Sequence, residues 1–310
     1  MPDLLLLSPV LPALAADLAR AFTVHGPIHA DGLTHYLTKY GTRIEAVMTS
    51  GPLGVPDAVV AALPRLRIIA INGVGYDRVN LNAARARGIR VTNTPDVLTD
   101  DVADLAIGLT IAVMRQLTVA DRYVRAGSWT QGNLRLARRM SGKRYGILGL
   151  GRIGAAVAAR LVPFGGTIGY SARAPKQVPY QYYPDTLSLA RASDVLIVCA
   201  DASPATRHTV DRAALDALGP AGVLVNIARG ALVDEPALVA ALVEGRLGGA
   251  GLDVFADEPN VPATLLTLDT VVLAPHIASA TEETRAAMGQ LALDNLVAFF
   301  AGSRLPTPVV

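Results

Sequence analysis

The stretch GILGLGRIG, residues 146–154, decides how this chain folds. Within it, Gly149, Gly151 and Gly154 have the spacing G-x-G-x-x-G. That spacing alone is a weak signal, but here it follows a short apolar run and opens an alanine-rich segment, residues 152–166, with helical spacing. A strand, a glycine turn and a helix in this order predict the phosphate-binding turn of a Rossmann fold.

Each glycine of the turn has a separate task. Gly149 permits the tight turn, Gly151 lets the backbone approach a pyrophosphate, and Gly154 lets helix and strand pack closely. The free N–H groups and the positive dipole at the helix N-terminus favour the phosphates, whereas the alternative is a glycine-rich turn with no ligand. The residues that we expect to bind the dinucleotide are Gly149, Gly151, Arg152, Ile153 and Gly154 of this turn, and Asp253 at the end of a later predicted strand.

The next predicted strand ends in an unusual way, in the stretch TIGYSARAPK, residues 167–176. A Rossmann site usually has Asp or Glu there, on the ribose 2′-hydroxyl, but this chain has Ser171, Ala172 and Arg173. No carboxylate repels a 2′-phosphate, while Ser171 can donate a hydrogen bond and Arg173 a charge-assisted one. The stretch predicts NADPH as cofactor, with weaker use of NADH. The alternative is that Arg173 stacks on adenine or is solvated, which leaves dual specificity.

Beyond this turn, short apolar runs alternate with alanine-rich helical patterns, which indicates βαβ units and a parallel sheet. The runs are almost continuously hydrophobic, so we expect burial on both faces of the sheet. The predicted strands are Leu4–Leu7, Ala46–Thr49, Arg67–Ile71, Tyr145–Leu148, Thr167–Tyr170, Val195–Cys199, Gly222–Asn226, Gly249–Asp253 and Val271–Leu273.

The glycine turn lies in mid-chain, after a region with its own alternation of strands and helices. The fold class that we predict is therefore α/β, with two Rossmann-like domains. The pattern over residues 94–127 predicts one long helix that starts near Thr99. Asp100 and Asp101 suit its first turn, because the N-terminal end of a helix is positive. A second long helix over residues 279–302 begins with a capping box of Ser279 and Glu282.

These two helices can carry the chain from one domain to the other and back. We expect a discontinuous substrate-binding domain, residues 1–98 and 286–310, and a dinucleotide-binding domain, residues 99–285. The active site is expected in the cleft between them.

Composition limits the partners and the compartment. The chain has 310 residues, of which 51% are hydrophobic, and a net charge of +2, which argues against nucleic acid. Cys199 is the only cysteine, so no disulfide can form within the chain, as in a reducing compartment. The apolar run Leu4–Leu7 lacks the basic region of a signal peptide, and no apolar stretch reaches transmembrane length. We expect a cytoplasmic protein without a membrane partner.

Three polar residues stand just beyond three successive predicted strands. Arg229 follows the first, Glu258 the second and His276 the third. Taken singly, they could be a surface charge, a turn acid and a helix-capping group. Open α/β sheets, however, bind ligands beyond the carboxyl ends of their strands, so all three are candidates for one site.

Together these residues suit hydride transfer to a ketone. Histidine can protonate the developing alkoxide near neutral pH, and a carboxylate beside it orients the ring and favours its charged form. Arginine can bind a 2-keto acid through its carboxylate and carbonyl. No metal set is predicted, because the histidines lack ligand spacing. We interpret the other four histidines as structural or surface residues: His25, His29, His35 and His208.

The sequence resembles the D-isomer-specific 2-hydroxyacid dehydrogenases along nearly its whole length. The segments that carry the resemblance are INGVGYDRVNL (71–81), GIRVTNTPDVLTDDVADLAIGL (88–109), GKRYGILGLGRIG (142–154), NIARGALVDEPALVAAL (226–242), GRLGGAGLDVFADEP (245–259) and LAPHIASAT (273–281). Within the family it looks closest to the NADPH-dependent glyoxylate/hydroxypyruvate reductases and the hydroxyphenylpyruvate reductases. Those reductases often have Ser or Thr where this chain has Ala172, which removes one phosphate donor.

The resemblance implies roles for individual residues. Arg229, Glu258 and His276 would be the catalytic set, and the backbone N–H groups of Val74 and Gly75 would bind the substrate carboxylate. It also implies a homodimer built largely through the nucleotide domains. Resemblance to the reductases further implies that the segment around Trp129 crosses the dimer and helps to close the partner's pocket; the alternative is an ordinary interface or core anchor.

The expected reaction is reduction of a small 2-keto acid to the D-2-hydroxy acid by NADPH, reversible in principle. Two alternatives use the same scaffold with another substrate, either an aromatic pyruvate or a sugar-derived acid such as 2-ketogluconate. A third is a non-catalytic protein that binds and senses NADP(H).

Overall fold

The computed structural model describes residues 1–28 and 30–310, which form two compact units. The first unit comprises Met1–Leu98 and Ser279–Val310, and the second unit comprises Thr99–Ala278. Each unit contains one parallel sheet with helices, so the predicted α/β class is confirmed.

The elements, in chain order, are β1 (Asp3–Leu6), α1 (Pro12–Ala21), β2 (Thr23–His25), α2 (Ala30–Tyr40), β3 (Ile44–Ser50), α3 (Asp57–Ala61), β4 (Ile68–Asn72), α4 (Leu81–Ala86), β5 (Arg90–Thr92), α5 (Thr99–Met114), α6 (Leu117–Arg125), β6 (Arg144–Leu148), α7 (Arg152–Leu161), β7 (Thr167–Ser171), β8 (Gln181–Tyr183), α8 (Thr186–Arg191), β9 (Val195–Val198), α9 (Arg212–Leu218), β10 (Val223–Asn226), α10 (Glu235–Val243), β11 (Gly249–Leu252), β12 (Val271–Leu273) and α11 (Glu282–Phe300). Short 3-10 helices lie at Ser128–Gln131, Val162–Phe164, Gly230–Leu232 and Leu265–Thr267.

The first unit has five parallel strands in the order β2-β1-β3-β4-β5. Its central strands bury both faces: Leu5 lies in one apolar cluster, and Leu4 lies in the other. The second cluster includes Ala292 and Leu296 of α11, which pack on the same face of the sheet. Coverage of both faces explains why these strands read as continuous apolar runs.

The second unit has seven parallel strands in the order β12-β11-β10-β9-β6-β7-β8. The chain runs outward from β6 to β7 and β8 on one side, and from β9 to β12 on the other. The strand order therefore reverses between β6 and β9, and open α/β sheets bind their ligands at such a switch point. The glycine turn directly follows β6.

The prediction of one long helix from Thr99 is wrong. The structure has two helices, α5 and α6, with a bend of 60° between them. Gln116 adopts a left-handed conformation, with φ of 53°, and the carbonyl of Met114 accepts a hydrogen bond from Arg138 N at 2.9 Å. A partner from a later segment thus takes over a carbonyl at the end of α5.

Two expectations about α11 also differ from the structure. The helix is capped by Thr281, whose side chain accepts a hydrogen bond from Thr284 N, and not by Ser279. The expected domain boundary at residue 286 would cut this helix after its first turn. The units divide instead between Ala278 and Ser279, because the apolar residues of α11 pack in the first unit.

Within residues 1–28 and 30–310, no single helix combines the length and apolar character needed to cross a membrane. The bent pair α5 and α6 passes the test of length and composition only when both helices are taken together.

Candidate active site

The glycine turn after β6 leaves room for a ligand on one side only. Gly149 has φ of 94° and its N–H donates to the carbonyl of Ser171 at 2.8 Å. A Cβ at Gly154 would lie 2.1 Å from the Gly149 oxygen, whereas a Cβ at Gly151 would meet nothing within 4 Å. The open space at Gly151, at the start of α7, is what the approach of a diphosphate requires. Arg152 and Ile153 begin α7 at this point.

Two cations, Arg173 and Lys176, follow the end of β7. Ser171 is the buried last residue of the strand, and Arg173 is exposed two residues later. Lys176 donates its ammonium group to the carbonyl of Leu150 in the glycine turn, and its backbone N–H donates to the Tyr170 hydroxyl at 2.7 Å. Sequence reasoning missed Lys176, although it stands in the same stretch as Arg173.

His276 and Glu258 form a direct pair. The Nδ1 atom of His276 lies 2.7 Å from Oε2 of Glu258, and Oε1 of Glu258 accepts a hydrogen bond from Phe255 N at 3.1 Å. Burial alone would raise the pKa of Glu258, but the hydrogen bonds from His276 and Phe255 outweigh it and hold the pKa below its usual value. Since an ionised carboxylate only accepts, Nδ1 donates to it, and Nε2 is left for proton transfer.

The backbone of His276 is held in an uncommon conformation. Its φ is 54°, and its N–H donates to the carbonyl of Asp253 at 2.8 Å. The carboxylate of Asp253 accepts from the N–H groups of Ile277 and Ala278 at 2.7 and 2.9 Å. Asp253 is fully buried, which raises its pKa. Asp253 thus fixes the segment that carries His276. The contact expected between Asp253 and the cofactor stays a prediction.

Arg229 follows β10, and the second unit brings it into the same group. Its positive charge is among the causes that lower the pKa of Glu258. The segments that carry the two residues touch, because a Cβ at Gly230 would lie 2.0 Å from the carbonyl carbon of Phe255. Oε2 of Glu235 also accepts a hydrogen bond from Ala256 N at 3.0 Å. The structure therefore unites the three residues predicted from three strand ends.

Val74 and Gly75 lie in the first unit, in the loop after β4. This loop is held by residues after β5: Asn93 Nδ2 donates to the carbonyl of Val74 at 2.8 Å, and Thr94 N donates to the carbonyl of Gly73 at 2.9 Å. Sequence reasoning missed Asn93 and Thr94, which act on main-chain atoms.

The other titratable candidates have structural surroundings. His25 lies between Asp3, at 2.6 Å from Nε2, and the hydroxyl of Tyr36. His35 is exposed, His208 donates its N–H to the carbonyl of Ala231 at 2.9 Å, and His29 lies outside the described residues. Desolvation raises the pKa of the Cys199 thiol to about 12, so it is no thiolate near neutral pH. In the described part of the chain, no three His, Cys, Asp or Glu side chains could share a metal ion.

The second unit carries an exposed apolar surface on and after α6. No residue of α6 is buried, and Leu117 and Val124 of this helix are exposed. Trp129 is 64% exposed and Leu136 is 96% exposed. We call these four residues the α6 surface. Exposed large apolar side chains that recur within one segment, here residues 117–136, indicate a protein interface.

The chain is similar to known proteins along its whole length. The family described as D-isomer specific 2-hydroxyacid dehydrogenase, NAD binding domain, matches residues 107–278. The chain is 48% identical to the hydroxyphenylpyruvate reductase of Plectranthus scutellarioides, over 99% of this chain and 98% of that protein. It is 44% identical to the 2-ketogluconate reductase of Gluconobacter oxydans, over 100% of this chain and 99% of that protein.

A solved structure extends the likeness to three dimensions. The NADPH-dependent glyoxylate/hydroxypyruvate reductase of Sinorhizobium meliloti, crystallised with NADP and malonate, superimposes with a TM-score of 0.91. The two chains are 41% identical, and the match covers 100% of this chain and 97% of the other.

Proposed function

This chain belongs to the D-isomer specific 2-hydroxyacid dehydrogenase family, and from that premise we propose that it reduces a small 2-keto acid of the glyoxylate/hydroxypyruvate type to the D-2-hydroxy acid with NADPH. Membership makes the protein an oxidoreductase that acts on CH–OH groups with a nicotinamide cofactor. The observation that carries the proposal is the pair of His276 and Glu258, 2.7 Å apart, beside the charge of Arg229.

Each residue of this group has one task in the proposed reaction. NADPH, when bound, supplies the hydride to the substrate carbonyl. His276 donates a proton from Nε2 to the developing alkoxide, and Glu258 stabilises the charged ring through Nδ1. Arg229 binds the carboxylate and carbonyl of the substrate. In the first unit, the backbone N–H groups of Val74 and Gly75 are proposed to donate hydrogen bonds to the substrate carboxylate.

The preference for NADPH rests on the end of β7. Ser171, Ala172 and Arg173 supply no carboxylate; Arg173 adds a positive charge after β7, and Lys176 adds one at the glycine turn. The Sinorhizobium relative is NADPH-dependent and was crystallised with NADP. We assign Ser171 and Arg173 to the 2′-phosphate, with NADH as the weaker cofactor.

The substrate is tested by a rate screen. Glyoxylate, hydroxypyruvate, phenylpyruvate, hydroxyphenylpyruvate and 2-ketogluconate are each assayed with NADPH and with NADH. We expect the highest kcat/KM for glyoxylate or hydroxypyruvate with NADPH. The named activities of the Plectranthus and Gluconobacter relatives make an aromatic pyruvate and 2-ketogluconate the second candidates. NADPH binding without turnover on any acid would instead indicate a sensing protein.

The proposed assembly is a homodimer formed through the second unit. The α6 surface supports this proposal, because its four apolar residues are exposed in the single chain. We further propose that Trp129 reaches the partner's substrate pocket. A net charge of +2 and a single cysteine support a cytoplasmic enzyme whose partner is a small molecule, not nucleic acid or a membrane.

A further inference from the structure

A buried amide shapes the turn that carries Arg229. Asn226 is the last residue of β10 and is 1% exposed. Its Nδ2 donates to the carbonyl of Arg229 at 2.9 Å, and its Oδ1 accepts from Ala228 N at 3.1 Å. The side chain therefore closes the turn over residues 227–229 from inside, using both halves of the amide.

Asn226 itself is fixed by the sheet. It pairs in register with Val198 of β9 and with Leu252 of β11, and its carbonyl accepts a hydrogen bond from Asp253 N at 3.0 Å. Because strands on both sides fix the backbone of Asn226, its side-chain amide has a fixed position relative to the turn. A neutral amide is required, since a carboxylate of the same shape cannot donate to the Arg229 carbonyl.

Ala228 joins this amide to the guanidinium. Its N–H is bound by Asn226, and its carbonyl accepts a hydrogen bond from Nη1 of Arg229 at 2.7 Å. Rotation of the peptide groups around Ala228 would therefore move the guanidinium as well as release the amide. The turn closed by Asn226 is the support on which the Arg229 side chain rests.

We propose that Asn226 is the positioning residue for Arg229: its amide sets the direction of the turn and hence the place of the guanidinium. The inference rests on the proposed role of Arg229 in binding the 2-keto acid. An amide that only satisfied buried main-chain groups would contribute to stability and leave the kinetic constants unchanged.

The test compares Asn226→Asp with wild type. The variant keeps the acceptor for Ala228 N and loses the donor to the Arg229 carbonyl. We expect kcat/KM for glyoxylate to fall roughly 10- to 100-fold, as for a small misplacement of a binding group, with the Kd of NADPH within about twofold. At lower pH, protonation of the new carboxyl restores the donor, so the ratio of variant to wild-type kcat/KM should rise. If the charge prevents folding, Asn226→Ala removes the donor, together with the acceptor, without adding a charge.

A double-mutant cycle and a matched control separate positioning from stability. In the Arg229→Ala background, Asn226→Asp should lower kcat/KM further by less than about twofold, because its effect acts through the missing side chain. Ser193, just before β9, is also buried and donates its hydroxyl to the carbonyl of Leu189 at 2.7 Å. Ser193→Ala should lower the Tm and leave kcat and KM unchanged well below that Tm.

Two outcomes would overturn the inference alone. One is wild-type kcat/KM in Asn226→Asp and Asn226→Ala while Arg229→Ala is inactive; the other is an equal loss with and without Arg229. Full activity of Arg229→Ala would refute the proposed role of Arg229, and this inference with it.

Discussion

At the scale of single residues, His276 combines an uncommon backbone conformation with a side chain that Glu258 orients. Its φ of 54° is uncommon outside glycine, and such conformations cost about 1–3 kcal/mol. Asp253 offsets this cost by binding three successive N–H groups, from His276 to Ala278. Main-chain hydrogen bonds thus place the proposed proton donor, while Glu258 orients its ring.

Replacing His276 with Ala tests the proton donor. Without an acid for the developing alkoxide, kcat should fall roughly 10²- to 10⁴-fold, while the Kd of NADPH from fluorescence titration stays near that of wild type. Arg229→Lys, as a companion, should also lose most of its activity, because an ammonium cannot form a bidentate contact. Wild-type kcat in His276→Ala, with hydride transfer rate-limiting, would refute the assignment.

Glu258 predicts a dependence of stability on pH. Because its pKa in the folded state lies below the ordinary 4.5, its ionised form stabilises the fold above that pH. The contribution is lost as the pH falls through the folded-state pKa. In urea titrations, the difference in free energy of unfolding between wild type and Glu258→Gln should be largest near pH 7 and shrink as the pH falls below 4.5. A difference independent of pH would contradict the assigned cause.

Arg173 and Ser171 predict the choice of cofactor. Arg173→Ala should weaken NADPH by roughly ten- to a hundredfold and NADH much less, since a hydrogen bond to a charged group contributes about 1.5–3 kcal/mol. Ser171→Asp with Arg173→Ala should prefer NADH, because the carboxylate accepts from the ribose hydroxyl and repels the phosphate. The measurement is the ratio of kcat/KM for the two cofactors at fixed ionic strength. An equal loss with both would make Arg173 a stacking or packing residue.

The residues that sequence reasoning found share a property that the missed ones lack. Arg229, Glu258 and His276 stand next to strand ends, and a polar side chain after an apolar run is visible in the sequence. Asn226 and Asn93 act through hydrogen bonds to main-chain atoms, and Lys176 binds the carbonyl of Leu150. Which carbonyl lies near a side chain depends on the folded backbone, so no local pattern reveals these partners.

At the scale of elements, burial decides what could be predicted. Strands with continuous apolar runs, such as β4 and β9, were predicted within one or two residues. The three-residue strands β2, β5 and β8 were missed because none of them contains a continuous apolar run, and Gln181–Tyr183 has no buried residue at all. The break after α5 carries no Gly or Pro, and its partner Arg138 is distant in sequence.

Two glycines of the turn separate folding from binding. In Gly154→Ala the new Cβ would lie 2.1 Å from the Gly149 oxygen, so the turn must move and the Tm should fall by several degrees or more. In Gly151→Ala nothing lies within 4 Å of the new atom, and the φ of −80° suits alanine. This variant should keep the wild-type Tm and bind NADPH at least roughly tenfold more weakly. Unchanged affinity would place the diphosphate elsewhere.

At the scale of the whole molecule, assembly is the property most open to test. We expect Leu136→Asp to shift the sedimentation profile from dimer to monomer, because it places a charge among the exposed apolar residues of the α6 surface. Leu266→Asp is the matched control, since Leu266 is also exposed in the second unit, at 62%, but lies outside that surface. Identical profiles for wild type and both variants would remove the α6 surface from the interface.

Trp129 gives the proposed dimer a second readout. Trp129→Ala should change the ratio of kcat/KM between glyoxylate and hydroxyphenylpyruvate more than it changes the Kd of NADPH. An experimental dimer with Trp129 more than about 10 Å from every active site would leave it an interface role only, as that distance exceeds side-chain contact.

The discontinuous first unit has a consequence for biosynthesis. Residues 1–98 leave the ribosome before the second unit does. The N–H and carbonyl of Val91 in β5, however, form hydrogen bonds with Val310 and Val309, and one face of the sheet packs against α11. The second unit is a continuous segment and can fold before α11 has emerged. Residues 1–98 are therefore made before the second unit but stabilised after it, and their apolar strands lack their covering helix until residues 282–310 have emerged.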